Sequence, residues 1–141
     1  MRFLLAALLA SLLAVACSSA GSSPSTDSLP ASLAGTAWKA VSVVGQSTVA
    51  GREPTIAFEA TKVSGSGGCN QFGGEYTYAD GRLTFGEMPM TLMGCEEPIS
   101  TIETAFMHVL AGGVTVELDD GNQLLIEGPG GQALLVPTAA P

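Results

Sequence analysis

Apolar and polar positions alternate along most of the chain after residue 34, which is the pattern of half-buried β-strands. Thr36 to Val44 is rich in β-branched and aromatic side chains, and Ile56 and Phe58 alternate with less apolar neighbours. The same alternation recurs over residues 75–85, 114–118, 123–127 and 132–136. The pattern predicts a mainly β fold, an antiparallel meander or partly closed sheet of about seven or eight strands.

Turn residues separate the predicted strands. Asp80-Gly81 lies between two alternating stretches and is a strong hairpin signal, because the two-residue turn needs positive φ. Residues 119–122 (DDGN) and 128–131 (GPGG) predict two further turns. Asp119, Asp120 and Asn122 also offer oxygen atoms to a cation, but they lack the alternating spacing and distant glutamate of a calcium loop. The turn is therefore the favoured interpretation.

One stretch has helical periodicity. A single apolar stripe runs through Ile99, Ile102, Phe106, Val109 and Leu110. Ser100 and Glu103 have the spacing of a capping box, which predicts that the helix begins there. Gly112-Gly113 supplies the stop. We expect one amphipathic helix of about eleven residues, from 100 to 111, packed against the sheet.

The N-terminus has the features of a bacterial lipoprotein leader. Residues 3–16 carry no charge and follow Arg2, and the segment is shorter than the roughly 20 residues of a membrane span. It ends Ala14-Val15-Ala16-Cys17, which resembles a lipobox, although Ala14 stands where leucine is usual. We expect residues 1–16 to be a signal peptide and Cys17 to be lipidated. The alternative is an ordinary secreted protein with a cysteine near its cleavage site.

The next segment is a tether. Residues 18–32 are rich in Ser, Pro, Gly and Ala and have almost no large apolar side chains, so they cannot offset the entropy of ordering. We expect Cys17 and a flexible segment to fill residues 17–33, the folded domain to span 34–137, and residues 138–141 to be a disordered tail. Acyl chains on Cys17 would hold the protein to a membrane on its extracytoplasmic face, with the inner or outer membrane left open.

The net charge limits the classes of partner that we expect. The formal net charge is −8, and loss of a leader containing Arg2 would make it one unit more negative. Nucleic acid is excluded as a partner, since phosphate binding needs clustered Lys and Arg. A basic protein partner is electrostatically favoured, although acidity also simply keeps a protein soluble.

With Cys17 assigned to lipid, Cys69 and Cys95 remain as an even pair in an oxidising compartment. A disulfide between them would contribute about 3 kcal/mol in the chain-entropy model. Two buried free thiols, or a reactive Cys69, remain alternatives at this point.

The most distinctive stretch is residues 63–72, VSGSGGCNQF. Such dense glycine indicates tight backbone approach or positive φ. A phosphate-binding loop is the alternative interpretation, but it is disfavoured because no Gly-Lys-Ser/Thr ending and no helix pattern follow directly. Downstream, residues 88–95 read MPMTLMGC.

Together these segments resemble the META-domain family of HslJ-like proteins. The recurrent marks of that family are Gly-x-x-Trp, Gly-Cys-Asn with a following aromatic residue, and Thr-x-Met-x-Cys. They correspond here to 35–38 with Trp38, to 67–72 with Gly67, Gly68, Asn70 and Phe72, and to 91–95 with Thr91 and Met93. Gln71 departs from the basic residue often found there, which puts any charge-dependent role of that position in doubt. The resemblance implies a compact β-rich envelope domain, with heat-induced members and no established reaction.

Candidate chemistry is sparse. His108 is the chain's single histidine and lies on the polar side of the predicted helix. A group of Cys69, His108 and Asn70 would imitate a thiol protease, but the adjacency of Cys69 and Asn70 leaves the asparagine no freedom to orient a histidine. Met88, Met90 and Met93 suggest soft-metal capture, yet core filling is the stronger interpretation. We therefore expect no catalytic residue, metal or cofactor.

Asn70 has two interpretations. Its amide could bond local backbone groups and fix the bend beside Cys69, which is favoured, or it could be a solvent-accessible recognition residue. For the whole protein we expect a non-catalytic, lipid-anchored envelope domain that contributes to stress or drug tolerance through binding. The alternative is an inhibitor or accessory protein of a secreted hydrolase, with a basic lysozyme-like enzyme as a first trial.

Overall fold

The computed structural model describes residues 29–140. The expected signal peptide, the lipidation site at Cys17 and most of the tether lie outside them. Among the described residues one antiparallel sheet has nine strands, and one helix lies between its sixth and seventh strands. The elements are β1 (Thr36–Val43), β2 (Gln46–Ser47), β3 (Thr55–Phe58), β4 (Lys62–Ser66), β5 (Gln71–Ala79), β6 (Arg82–Phe85), α1 (Ile99–Leu110), β7 (Gly113–Leu118), β8 (Leu124–Gly128) and β9 (Gly131–Thr138).

The sheet closes on itself. Its strand order is β2-β1-β3-β4-β5-β6-β7-β8-β9, and β1 also pairs with β9, from Ala37 opposite Thr138 to Val43 opposite Ala133. Eight strands therefore form an antiparallel barrel, and β2 is an extra strand on β1. The predicted mainly β fold with one helix is confirmed. Closure satisfies the edges that an open sheet would expose.

A single core fills the barrel. Alternate strand residues point inward, and the helix contributes Ile102, Phe106, Val109 and Leu110, all buried. These four belong to the same buried cluster as the inward strand residues. The helical stripe predicted from the sequence is thus confirmed, with Ile99 half-buried at its start.

The helix closes one end of the barrel. A Cβ atom on Gly67, in the β4–β5 connection, would overlap the side chain of Glu103, and one on Gly130, in the β8–β9 turn, would overlap the backbone of His108. Because both positions are glycine, the two connections lie directly against α1. Neighbouring antiparallel strands run in opposite directions, so these connections share one end of the barrel.

The hairpin prediction is also confirmed. Ala79 pairs with Arg82, and Asp80 and Gly81 between them have φ of 50° and 74°. In the turn at 119–122, Oδ1 of Asp119 accepts a hydrogen bond from the Gln123 backbone N–H at 2.7 Å. The Asp119 carboxylate therefore stabilises the turn.

The capping-box prediction was wrong. Helix α1 begins at Ile99, its N-cap residue is Pro98, and no side chain caps it from that position. The carboxylate of Glu97 accepts hydrogen bonds from the hydroxyl groups of Ser100 and Thr101 and from the Thr101 backbone N–H. These bonds lower the pKa of Glu97, and the bond from Ser100 has the largest effect. Glu103 points into the protein.

The glycine-dense stretch at 63–72 is largely strand. β4 continues to Ser66 and β5 begins at Gln71, so the bend itself is residues 67–70. β4 was missed because its Ser and Gly residues show no apolar alternation. Gly65 is required by packing, since a Cβ atom there would lie 2.7 Å from the Phe72 ring.

The opposite end of the barrel is covered by the N-terminal segment. Leu33 is buried, and the Tyr78 hydroxyl donates to the carbonyl oxygen of Pro30 at 2.7 Å. Residues 30–33, expected to belong to the tether, thus contact the packed body. At the other terminus β9 includes Thr138, the first residue of the expected tail.

Candidate functional site: the 67–70 bend and the 91–95 loop

The bend at residues 67–70 is built by short-range hydrogen bonds. The Gly67 N–H donates to the carbonyl of Asn70 at 2.8 Å, and the Gly68 N–H donates to Oγ of Ser66 at 3.1 Å. Gly68 has φ of +109°, a conformation that side chains disfavour. With the chain folded this way, the backbone N–H groups of Cys69 and Asn70 both point toward α1.

Glu103 receives those groups. Its Oε2 accepts hydrogen bonds from the N–H of Asn70 at 2.6 Å and of Cys69 at 3.2 Å, and its Oε1 accepts from Nδ2 of Asn70 at 2.7 Å. The side chain is buried, with 8% of its surface exposed. A buried carboxyl group is costly unless it is hydrogen-bonded, and here three donors satisfy it.

Asn70 connects Glu103 to a second segment. Its Oδ1 accepts hydrogen bonds from the Met93 N–H at 2.7 Å and the Thr91 hydroxyl at 3.0 Å, and its Nδ2 also donates to the Met93 carbonyl at 3.2 Å. Only 5% of Asn70 is exposed. The favoured interpretation gave it local backbone partners, but these partners lie 21 to 33 residues away. Asn70 therefore joins the bend, the helix and the 91–95 loop.

A covalent bond reinforces the same junction. Cys69 and Cys95 form a disulfide, with their Cα atoms 6.2 Å apart, as the pairing of the cysteines predicted. The alternatives of free thiols or a reactive Cys69 therefore do not apply. His108 is exposed on α1, so Cys69, His108 and Asn70 do not form a thiol-protease site.

The 91–95 loop is fastened at both ends and exposed in the middle. The Thr91 N–H donates to the Gln71 carbonyl at 2.9 Å, the Gln71 N–H donates to the Thr91 hydroxyl at 3.0 Å, and Cys95 is held by the disulfide. Between these points Leu92 is 93% exposed and Met93 is 58% exposed. A fixed backbone thus displays two neighbouring apolar side chains to solvent.

The other candidate residues separate into two groups. Gly67, Gly68, Asn70, Thr91 and Met93 meet in this junction. Phe72 and Trp38 instead belong to the core, where the Phe72 ring packs 6.3 Å from that of Phe106 and the Trp38 Nε1 donates to the Thr36 hydroxyl.

The core-filling interpretation holds for two methionines only. Met88 and Met90 pack partly buried against the core. Met93 is exposed because the Asn70 bonds hold its backbone at the surface.

Two members of the site were missed from the sequence. Glu103 was assigned to a cap, although its position beside Ile102 on the apolar stripe indicated an inward carboxyl group. Leu92 carried no signal, because its exposure depends on contacts far away along the chain.

The hydrogen bonds of the junction hold the bend, the helix and the loop together. Every polar group of Asn70 and Glu103 is used within the protein, and no cluster of three metal-ligating side chains occurs among residues 29–140. What the arrangement offers to solvent is the apolar pair Leu92 and Met93, and Glu96 and Glu97 are exposed directly after the 91–95 loop. It is therefore suited to contact with another molecule through that loop.

Fold and site define a small closed β-barrel with one helix across an end and a disulfide-braced loop beside it. The family model of the META domain matches residues 31–141, and the chain belongs to the META-domain family. That domain is generally not a catalytic family. No curated protein matches the chain.

Two solved structures are similar. One NMR structure is 28% identical, with a TM-score of 0.64, and the match covers 74% of this chain and 90% of that one. An NMR structure of a protein from Burkholderia xenovorans is 24% identical, with a TM-score of 0.57, covering 75% of this chain and 83% of that one. The second likeness shows the fold alone.

Helix α1, which has 12 residues, is too short to cross a bilayer, and it is the one helix within residues 29–140.

Proposed function

We propose that this protein is a non-catalytic binding domain, anchored by acyl chains on Cys17 to the extracytoplasmic face of a bacterial membrane. Through binding it contributes to tolerance of envelope stress or drugs. The lipobox-like residues 14–17, the Ser-rich segment after them and membership of the META-domain family support this proposal. Two acyl chains would give the stable attachment that a single chain does not.

The observation that carries the binding role is the braced 91–95 loop. Leu92 and Met93 expose apolar surface to water, which contributes nothing to folding stability. Holding that surface in one conformation through Asn70 and the disulfide lowers the entropy lost when a partner binds. We therefore propose this loop as the binding segment.

The position of the loop suits an anchored protein. Strand β5 runs from Gln71, beside the loop, to Ala79, where the hairpin lies close to the N-terminal segment. That strand spans about 25 Å at the usual rise per residue. Since the tether would enter beside Pro30, the loop would lie at the end of the barrel far from the point of attachment.

Fractionation tests the anchor. The full-length protein is expressed in a bacterial host that processes lipoproteins, with Cys17→Ala as the variant and Ser18→Ala as the matched control. We expect the unchanged protein and the control in the membrane fraction, with an acylated N-terminal cysteine by mass spectrometry. Cys17→Ala should leave that fraction. Recovery of the unchanged protein as a soluble, unacylated species would refute the anchor.

A second candidate function is inhibition of a secreted hydrolase. The specific observation in its favour is that the displayed loop is braced on both sides, which is how a protein can present a segment to an enzyme cleft without being reshaped by it. The acidic net charge would favour a basic enzyme.

A further inference from the structure

We propose that residues 91–95 form an inhibitory loop that places the Leu92 side chain in the apolar specificity pocket of a secreted serine peptidase. The inference rests on the second candidate function and names its enzyme class and contact residue. It is carried by the exposure of Leu92, the bracing on either side of it, and the hydrogen-bonding state of its own backbone.

Leu92 has the exposure that such a pocket requires. At 93% it is the most exposed of the large apolar side chains among residues 29–140, ahead of Met93 and Leu29. A peptidase specificity pocket takes up one whole side chain and selects it by shape and charge. A leucine or methionine side chain fits an apolar pocket and leaves no polar group unpaired there.

The residues on either side of Leu92 are held by backbone hydrogen bonds, while the backbone groups of Leu92 itself make none. Thr91 bonds to Gln71, and Met93 bonds to Asn70 through both its N–H and its carbonyl. Within the described part of the chain, neither the N–H nor the carbonyl of Leu92 has a hydrogen-bond partner. Both groups are available to the enzyme, whose cleft binds a substrate through main-chain hydrogen bonds and an oxyanion hole.

Charge favours the same kind of enzyme. Residues 86–98 contain the exposed Glu87, Glu96 and Glu97 and no lysine or arginine. A peptidase with a basic rim around its cleft would be attracted to this segment, and association would weaken with added salt. The expected partner is therefore a basic serine peptidase that cleaves after large apolar residues.

Two commercial peptidases of different specificity provide the test. Chymotrypsin has an apolar pocket, and trypsin has a pocket with an aspartate that selects lysine or arginine. The full-length protein in detergent is titrated against each enzyme with a chromogenic substrate. We expect inhibition of chymotrypsin and none of trypsin, and Leu92→Ala should weaken the former by about 30-fold or more.

Leu92→Lys tests the assignment most sharply, because this variant should no longer inhibit chymotrypsin and should inhibit trypsin instead. Val44→Ala, which removes an exposed apolar side chain elsewhere, is the matched control and should change neither. Circular dichroism of each variant establishes that it is folded, as expected for substitutions of exposed side chains.

Failure has distinct forms. No inhibition of chymotrypsin, or inhibition unchanged by Leu92→Ala and Leu92→Lys, would overturn the assignment. Inhibition of hen lysozyme but of neither peptidase would overturn it too, while leaving the hydrolase-inhibitor candidate standing. Cys17→Ala should inhibit as well as the unchanged protein, so loss of the anchor and loss of this inference are separable.

Discussion

Oε2 of Glu103 lies 2.6 Å from the backbone nitrogen of Asn70, which joins helix α1 to the glycine-rich bend. The Asn70 side chain continues the connection to Met93, and the Cys69–Cys95 disulfide runs parallel to it. The helix, the bend and the exposed loop therefore form one unit. A substitution in any part of this unit should change both the free energy of unfolding and the conformation of the loop.

Replacing Glu103 by alanine should lower the free energy of unfolding by about 3 kcal/mol, because three donors of Cys69 and Asn70 lose their acceptor. Urea denaturation followed by circular dichroism measures this. Thr104→Ala, at the exposed neighbouring position, should stay within about 0.5 kcal/mol of the unchanged protein. Equal effects of the two substitutions would show that the Glu103 bonds contribute nothing.

A Cβ atom at Gly67 should be poorly tolerated. It would overlap the Glu103 side chain, so Gly67→Ala should destabilise the protein by about 1–3 kcal/mol in thermal or urea unfolding. Gly94→Ala is the matched control, because a Cβ atom there meets no atom within 4 Å. A Gly67 variant as stable as the Gly94 variant would mean that the bend does not lie against α1.

The N-terminal segment should contribute to stability through Leu33. Because this side chain is 1% exposed, Leu33→Ala should cost about 2–5 kcal/mol. Leu29→Ala, at a residue that is 56% exposed, should cost far less. If Leu33→Ala left the urea midpoint unchanged, the packed body would begin after this residue.

Stability should fall in alkaline solution. Burial raises the pKa of Tyr76 and of Tyr78, and the Asp80 carboxylate adds to the effect at Tyr78. The folded state thus holds these protons more tightly than the unfolded state does. The stabilisation is complete below the unfolded pKa of about 10 and is lost as pH rises through the folded values.

Urea unfolding at about pH 9 and pH 11 measures this loss. Tyr76→Phe has no proton to lose, so its free energy of unfolding should fall less over the same interval. An equal fall in the variant and in the unchanged protein would contradict the role of Tyr76.

Much of the fold was predictable from local patterns. The helix could be recognised because Ile102, Phe106 and Leu110 recur with its period, and the Asp80-Gly81 hairpin because the turn chemistry is local. β4 escaped recognition, since Gly65 and its serine neighbours satisfy packing without an apolar pattern. Closure of the barrel depends on pairing between β1 and β9, which are distant in sequence and leave no local trace.

The site was predictable only in part. The even number of cysteines left after Cys17, together with an oxidising compartment, indicated the Cys69–Cys95 disulfide. The family resemblance indicated that Asn70 belongs to the site. The role of Glu103 was hidden because the same spacing that suggests a capping box also places a side chain on the buried face. Exposure of Leu92 results from the distant Asn70 and Gln71 contacts, so no local pattern indicates it.

The central claim is that Asn70 and the disulfide hold the 91–95 loop in one conformation. Heteronuclear NOE values for the backbone amides of Leu92 and Met93 test it most directly. We expect values equal to those of β5 in the unchanged protein, and lower values confined to this loop in Asn70→Ala. Low values at Leu92 and Met93 in the unchanged protein, like those of a free chain end, would contradict the account.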